Sequence, residues 1–190
     1  STPKPSSAAS DVYKRQTRLV RELLPDDAEV AGILALMLLS EARSPARITA
    51  KGELVRLDEQ DRGLWNRELI DEGLSLLDRL RGAVPGRYTL LAQINAVHAA
   101  AVDAELTDWQ RIVELYEQLE RVDPSPVVTL GKAVAIAERD SPQQALVIVE
   151  SLRDALADFH GLQVTRAELL RAAGRPADAM DAYDLSLIHI

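Results

Sequence analysis

Between residues 58 and 65 the chain reads Asp58-Glu59-Gln60-Asp61-Arg62 and then Trp65, its densest run of groups able to do chemistry. Paired carboxylates can divide acid and base roles when burial or a facing partner pushes their proton affinities apart. Acids at the positive end of a helix dipole need neither, and Asp61 stands where an apolar helical period begins. The expectation is a helix start, with Asp58, Glu59, Gln60, Asp61, Arg62 and Trp65 offered as a contact surface for another protein. His98, on an alanine-rich helical segment, is added to that surface, although taken alone it reads as a packed or hydrogen-bonded core side chain. His98 and His160 make no zinc pattern, since there is no HExxH and no cysteine to help. No GxSxG, GxGxxG or P-loop occurs. No catalytic, cofactor-binding or metal residue is therefore expected, and the chain is not expected to be an enzyme.

Composition narrows the class further. The chain has 190 residues, 47% hydrophobic and 27% charged, which describes one globular domain or two small ones. With no cysteine it can form neither a disulfide scaffold nor a thiolate metal site, and a reducing, cytoplasmic setting fits. A formal net charge of -8, with Lys and Arg scattered and no aromatics interleaved among them, opposes phosphate backbones and anionic lipid. No direct nucleic-acid or membrane contact is expected. The uncharged run 30–39 falls well short of the ~20 residues a bilayer span needs.

The two ends are expected to have a different origin from the rest. DVYKRQ at 11–16 can be encoded by GAT GTG TAT AAG AGA CAG, whose reverse complement, CTG TCT CTT ATA CAC ATC, encodes LSLIHI at 185–190. That string looks like the mosaic end of a transposase used to fragment DNA for sequencing. Residues 1–16 and 185–190 are thus expected to be adapter-derived, leaving 17–184 as an internal fragment of a longer protein. This segment keeps 19 basic and 29 acidic side chains.

Leu19, Val20, Leu23 and Leu24 mark one apolar helical face, read as the stump of an element that belonged to the longer protein. Pro25, Asp26 and Asp27 then start a buried helix over 30–39, and Ser44-Pro45 stops it. A short β-hairpin is expected near 47–57, where Ile48 and Leu54-Val55-Arg56-Leu57 flank a turn with Gly52. A helix opening at Asp61 runs through Trp65, Leu69, Ile70, Leu74, Leu77 and Leu80, and another runs from Tyr88 to about Ala101. These form an N-terminal helical part, 17–106.

Residues 107–184 carry an internal repeat. Thr107, Ser141 and Arg175 stand 34 residues apart, each before a helix start, with Pro142 and Pro176 at first helical positions where a missing N–H costs nothing. Each unit reads as two amphipathic helices, the first pair being Val127 to Arg139 and Pro142 to about Ala157. A hairpin of helices cannot bury its own apolar faces, so neighbours stack. The fold class expected is all-α: stacked helical hairpins in a tetratricopeptide-like superhelix, with one small β-hairpin insertion. Ala167, Gly174, Ala179 and Tyr183 stand at spacings resembling that motif.

Three stretches carry a wider resemblance: LLPDDAEVAGILALMLLSEARSPAR at 23–47, LVRLDEQDRGLWNRELIDEG at 54–73, and TDWQRIVELYEQLERVDPSPVVTLGKAVAIAE at 107–138. Together they resemble the C-terminal extension of bacterial RNA polymerase sigma factors of the extracytoplasmic-function group, whose two DNA- and polymerase-binding domains precede a tetratricopeptide-like domain. Gly131-Lys132 departs from the Asn-Arg expected there. The resemblance implies a regulatory, protein-binding part of a transcription initiation factor lacking its promoter-reading domains. Its partners would be its own sigma domains, RNA polymerase or a regulator. A free-standing helical-repeat scaffold and a small acidic enzyme using Glu59 and Asp61 are the alternatives.

Overall fold

Asp27 opens the central helix of the first half. In the computed structural model, which describes residues 7–49 and 52–188, its Oδ1 accepts from Glu29 N at 2.9 Å and Val30 N at 3.1 Å, satisfying amides that a helix start leaves bare. The helices in chain order are α1 (Ser7–Leu23), α2 (Ala28–Ala42), α3 (Arg67–Arg79), α4 (Arg87–Ala100), α5 (Trp109–Val122), α6 (Pro126–Arg139), α7 (Pro142–Ser151), α8 (His160–Ala172) and α9 (Pro176–Ile188). Single 3-10 turns lie at Ser44–Ala46, Leu57–Glu59 and Arg62–Leu64. The described residues contain no sheet, and the chain divides into two compact units, Ser1–Asp108 and Trp109–Ile190.

In the first unit α2 is buried nearly all round, through Ala31, Gly32, Leu34, Ala35, Leu38, Leu39 and Ala42, because α1, α3 and α4 all pack on it. Helix α3 runs back along it: Asn66 N donates to Ala42 O at 2.9 Å, and Leu39 fills the space beside Gly73. Helix α4 runs parallel to α2, with first turn on first turn and last turn near last turn. Its backbone comes so near that a Cβ on Gly32 would stand 2.6 Å from Thr89 N, so only glycine fits there.

Two sequence expectations need correction in this unit. The β-hairpin reduces to one antiparallel bridge, Ile48 with Leu54, beside Val55 N to Arg47 O at 2.8 Å. Gly52 does take the expected positive φ of 85°. The ladder stops because Leu54 is 84% exposed: no second sheet or helix gives that side of the segment a core to face. Ala50 and Lys51 of the expected turn lie outside the described residues. Secondly, the helix expected from Asp61 begins at Arg67, capped by Asn66, whose Oδ1 accepts from Leu69 N at 3.1 Å. Asp61 caps only the 3-10 turn before it, since Trp65 is extended, with ψ at 137°.

The second unit is built locally. Each of α5 to α9 packs on the next, and α6 also touches α8. Ala133 on α6 and Ala145 on α7 are repeated 34 residues later by Ala167 on α8 and Ala179 on α9, and all four are buried. Such small side chains let the axes of a pair approach closely. Ser141 Oγ accepts from Gln144 N at 3.3 Å as a cap, with Pro142 at the first helical position. At the end of α8, Gly174 takes φ of 76°, while Arg175 N reaches Leu170 O at 2.9 Å and Gly174 N reaches Arg171 O at 3.1 Å. That is the Schellman closure, which turns the chain into α9. Helix α7 ends at Ser151, short of the expected Ala157, and turns occupy 152–158.

Candidate functional site

Parallel neighbours place like ends of their dipoles together, and the first unit answers this at both ends of α2 and α4. At the positive ends the Glu29 carboxylate accepts from Tyr88 N at 2.8 Å, Thr89 N at 3.0 Å and Thr89 Oγ1 at 2.7 Å. An acid in the first turn of one helix thereby caps the other. At the negative ends stand two arginines. Arg43, the residue that closes α2, donates through Nη2 to Asn95 Oδ1, and Asn95 Nδ2 in turn donates to Leu91 O at 3.0 Å. Arg62 donates through Nη1 to His98 O at 2.7 Å and to Ala101 O at 2.8 Å, taking up carbonyls that the end of α4 leaves open.

The Asp61-capped turn aims Arg62 at that position. Asp61 Oδ1 accepts from Gly63 N at 2.8 Å, and the Arg62 guanidinium lies 4.6 Å over the Trp65 ring. Trp65 itself is 3% exposed and belongs to the core with Leu38, Leu39 and Ile70. Gln60 turns inward, its Nε2 donating to Val55 O at 3.2 Å, while Glu59 stands exposed on the Leu57–Glu59 turn. The side chain of Asp58 lies outside the described residues. The structure thus gathers Arg62, Trp65 and His98 of the expected surface at one helix end and spends Asp61 on a turn.

Electrostatically the cluster is cationic and partly desolvated. Burial, then Arg47 and Arg62, lower the Arg43 pKa to about 10. Burial, then Arg43 and Arg62, lower that of His98 to about 4, so its imidazole is neutral at pH 7. Burial also lowers the pKa of Arg62, against the opposing pull of Asp103. Arg43 Nε, Gln60 Oε1 and Trp65 Nε1 are buried without hydrogen-bond partners. Such an arrangement supplies hydrogen-bond donors and positive charge but no activated nucleophile. Among the described residues no three His, Cys, Asp or Glu side chains come together to hold a metal. No helix among them is long and apolar enough to cross a membrane.

Sequence reasoning missed Arg43, Asn95 and Glu29. Arg43 carried a signal, a cation directly after the last residue of an apolar helix. Asn95 and Glu29 carried none, because their partners lie 52 and about 60 residues away.

A family of unknown function, DUF6596, matches residues 4–81, which takes in α2, α3 and the Asp58–Trp65 segment. An uncharacterized protein of Rhizobium meliloti (strain 1021) is 42% identical over 183 residues, covering 96% of this chain. The chain spans 43% of that relative's length. No solved structure matches the chain.

Proposed function

We infer that residues 17–184 are the C-terminal regulatory extension of an extracytoplasmic-function sigma factor, a cytoplasmic protein-binding module rather than an enzyme. The observation that carries this reading is the build of the second unit. Helices packed in sequence, with α6 reaching α8 and small buried residues recurring every 34 positions, are the arrangement from which a superhelix with a concave, peptide-sized face grows. The acidic balance agrees with a part that leaves promoter contact to other domains. A relative more than twice as long leaves room for those domains. The exposed Glu59 and the half-buried Arg62 and His98 offer a second contact surface in the first unit, while Trp65, expected on that surface, is a core side chain beneath it.

The test is promoter-dependent transcription by the full-length protein with and without the part that begins after Pro25. Loss or deregulation of transcription on removal is the expected result. Equal activity and equal regulation would reject the reading.

A further inference from the structure

Charge is unevenly matched at one point of the first unit. In a chain with 30 acidic and 22 basic side chains, arginines such as Arg18, Arg111, Arg139 and Arg171 each meet a carboxylate within 3.1 Å. Arg43 and Arg62, both half-buried, do not: among the described residues no carboxylate pairs with either. Arg47 and Arg67 add their own positive charge nearby. A desolvated cation without a counter-charge is costly, and an incoming anion relieves that cost.

Donor counting shows what the pair has left to offer. Both Arg62 Nη1 hydrogens are taken, by His98 O at 2.7 Å and Ala101 O at 2.8 Å, so its Nε and Nη2 stay open. Arg43 gives one Nη2 hydrogen to Asn95 Oδ1, and its Nε is buried without an acceptor. Trp65 Nε1, on a side chain 3% exposed under the Arg62 guanidinium, also lacks an acceptor. Neither arginine is fully buried, so the cluster reaches the surface.

Two features oppose an anion there. The ends of α2 and α4 bring about half a negative charge each, and Asp103 pulls on Arg62. Asp103 is held elsewhere, its Oδ1 accepting from Leu106 N at 3.0 Å. The arginines outweigh both: the Arg43 pKa, lowered to about 10 by burial and then by Arg47 and Arg62, reflects positive charge that its surroundings do not cancel.

We propose that Arg43 and Arg62 together hold a carboxylate, the side chain of an aspartate or glutamate on the protein that the first unit contacts. A guanidinium fork matches the two oxygens of a carboxylate. A protein acid is the ligand because a net charge of -8 repels polyanions at range, whereas one carboxylate on an otherwise neutral surface approaches freely. This choice of ligand rests on the reading of the chain as a protein-binding module, while the site itself can be tested without transcription.

The test titrates the 190-residue chain at pH 7 and constant ionic strength with N-acetylglutamate α-amide, inorganic phosphate or chloride, following the arginine Nε–Hε signals by NMR. Saturable shifts at Arg43 and Arg62 with a millimolar dissociation constant for the carboxylate, and none at Arg175 in the second unit, are the expected result. Arg62→Lys keeps the charge but loses the fork, and should weaken binding at least about tenfold. No saturation by about 100 mM carboxylate would overturn the proposal. So would shifts that chloride reproduces, phosphate binding more than about tenfold tighter than the carboxylate, or undiminished affinity in a folded Arg62→Lys variant. Saturable carboxylate binding in a chain that proves dispensable for transcription would uphold the site and strike the transcriptional reading alone.

Discussion

The two units solve the same problem, holding helices side by side, with contacts of different reach. In Trp109–Ile190 the polar cross-links are shorter in sequence: Glu120 accepts from Thr129 Oγ1 at 2.8 Å nine residues on, Arg166 Nε reaches Glu150 at 2.6 Å across 16, and Arg139 Nη1 reaches Gln110 Oε1 at 3.1 Å across 29. In Ser1–Asp108 they are long. Glu29 meets Thr89 across 60 residues, Arg43 meets Asn95 across 52, and Arg62 meets His98 across 36. A repeat pairs helices that are neighbours in the chain, whereas a parallel helix pair must bring distant segments together and then answer two aligned dipoles. The first unit therefore places its charged side chains at helix ends, and those charges double as its candidate contact surface.

The strongest way to break the comparison is to remove the side chain on which the first unit's arginine rests. Trp65→Ala is expected to cost about 3–5 kcal/mol. In peptide-resolved hydrogen exchange the loss of protection should fall on α2, α3 and α4 and spare α6 to α9. Equal loss in both units would mean that they do not fold as distinct bodies.

Next in size is the shared cap. Glu29→Ala leaves the Tyr88 and Thr89 amides and the Thr89 hydroxyl without their acceptor. A loss of about 2–3 kcal/mol in urea denaturation is expected. A loss under about 0.5 kcal/mol would show that water serves those donors equally well.

Glycines sharpen the contrast. Gly32→Ala drives a Cβ against the Thr89 backbone and should destabilise by about 1–2 kcal/mol, even after the helix gain of alanine. Gly131→Ala in α6 brings a Cβ to 2.7 Å from the Tyr116 hydroxyl, a side-chain end rather than backbone, and should cost less than Gly32→Ala in the same thermal melts.

The smallest effect is read from pH. His98 binds its proton near pH 4 when folded, against 6.5 for the free side chain. Between those values the unfolded chain alone takes up the proton. The stability due to neutral His98 is whole above pH 6.5 and is lost as pH falls to about 4. The difference between the wild type and His98→Gln, measured by urea denaturation at pH 7.0 and 5.0, should narrow by on the order of 1–2 kcal/mol at the lower pH. A constant difference would place His98 outside the desolvated cluster.

How much was legible in the sequence follows the same division by reach. The second unit was readable because its information is local: Ser141, Pro142, Gly174 and Pro176 punctuate helices through caps and φ preferences, and Ala133 and Ala167 repeat at a fixed period. In the first unit the helix over 30–39 was readable from its apolar run and from Asp27. The β-hairpin near 47–57 was misread, because turn chemistry at Gly52 says nothing about whether Leu54 has a core to face. The helix start was placed at Asp61 because acids suit a dipole, whereas Asn66 wins by also giving its N–H to Ala42. At the candidate site, Arg62, Trp65 and His98 could be named in advance. Their junction with Arg43 and Asn95 could not, since it exists only once α2 and α4 lie parallel.

The central claim is that this chain acts by gripping other protein within a transcription factor, and Glu59 offers the most direct test because it is exposed and supports no fold contact described above. Promoter-dependent RNA synthesis should be measured with the full-length protein carrying Glu59→Lys, after circular dichroism shows the helices intact. A several-fold change in transcript yield is predicted, and an unchanged yield from the folded variant would contradict the claim for this surface.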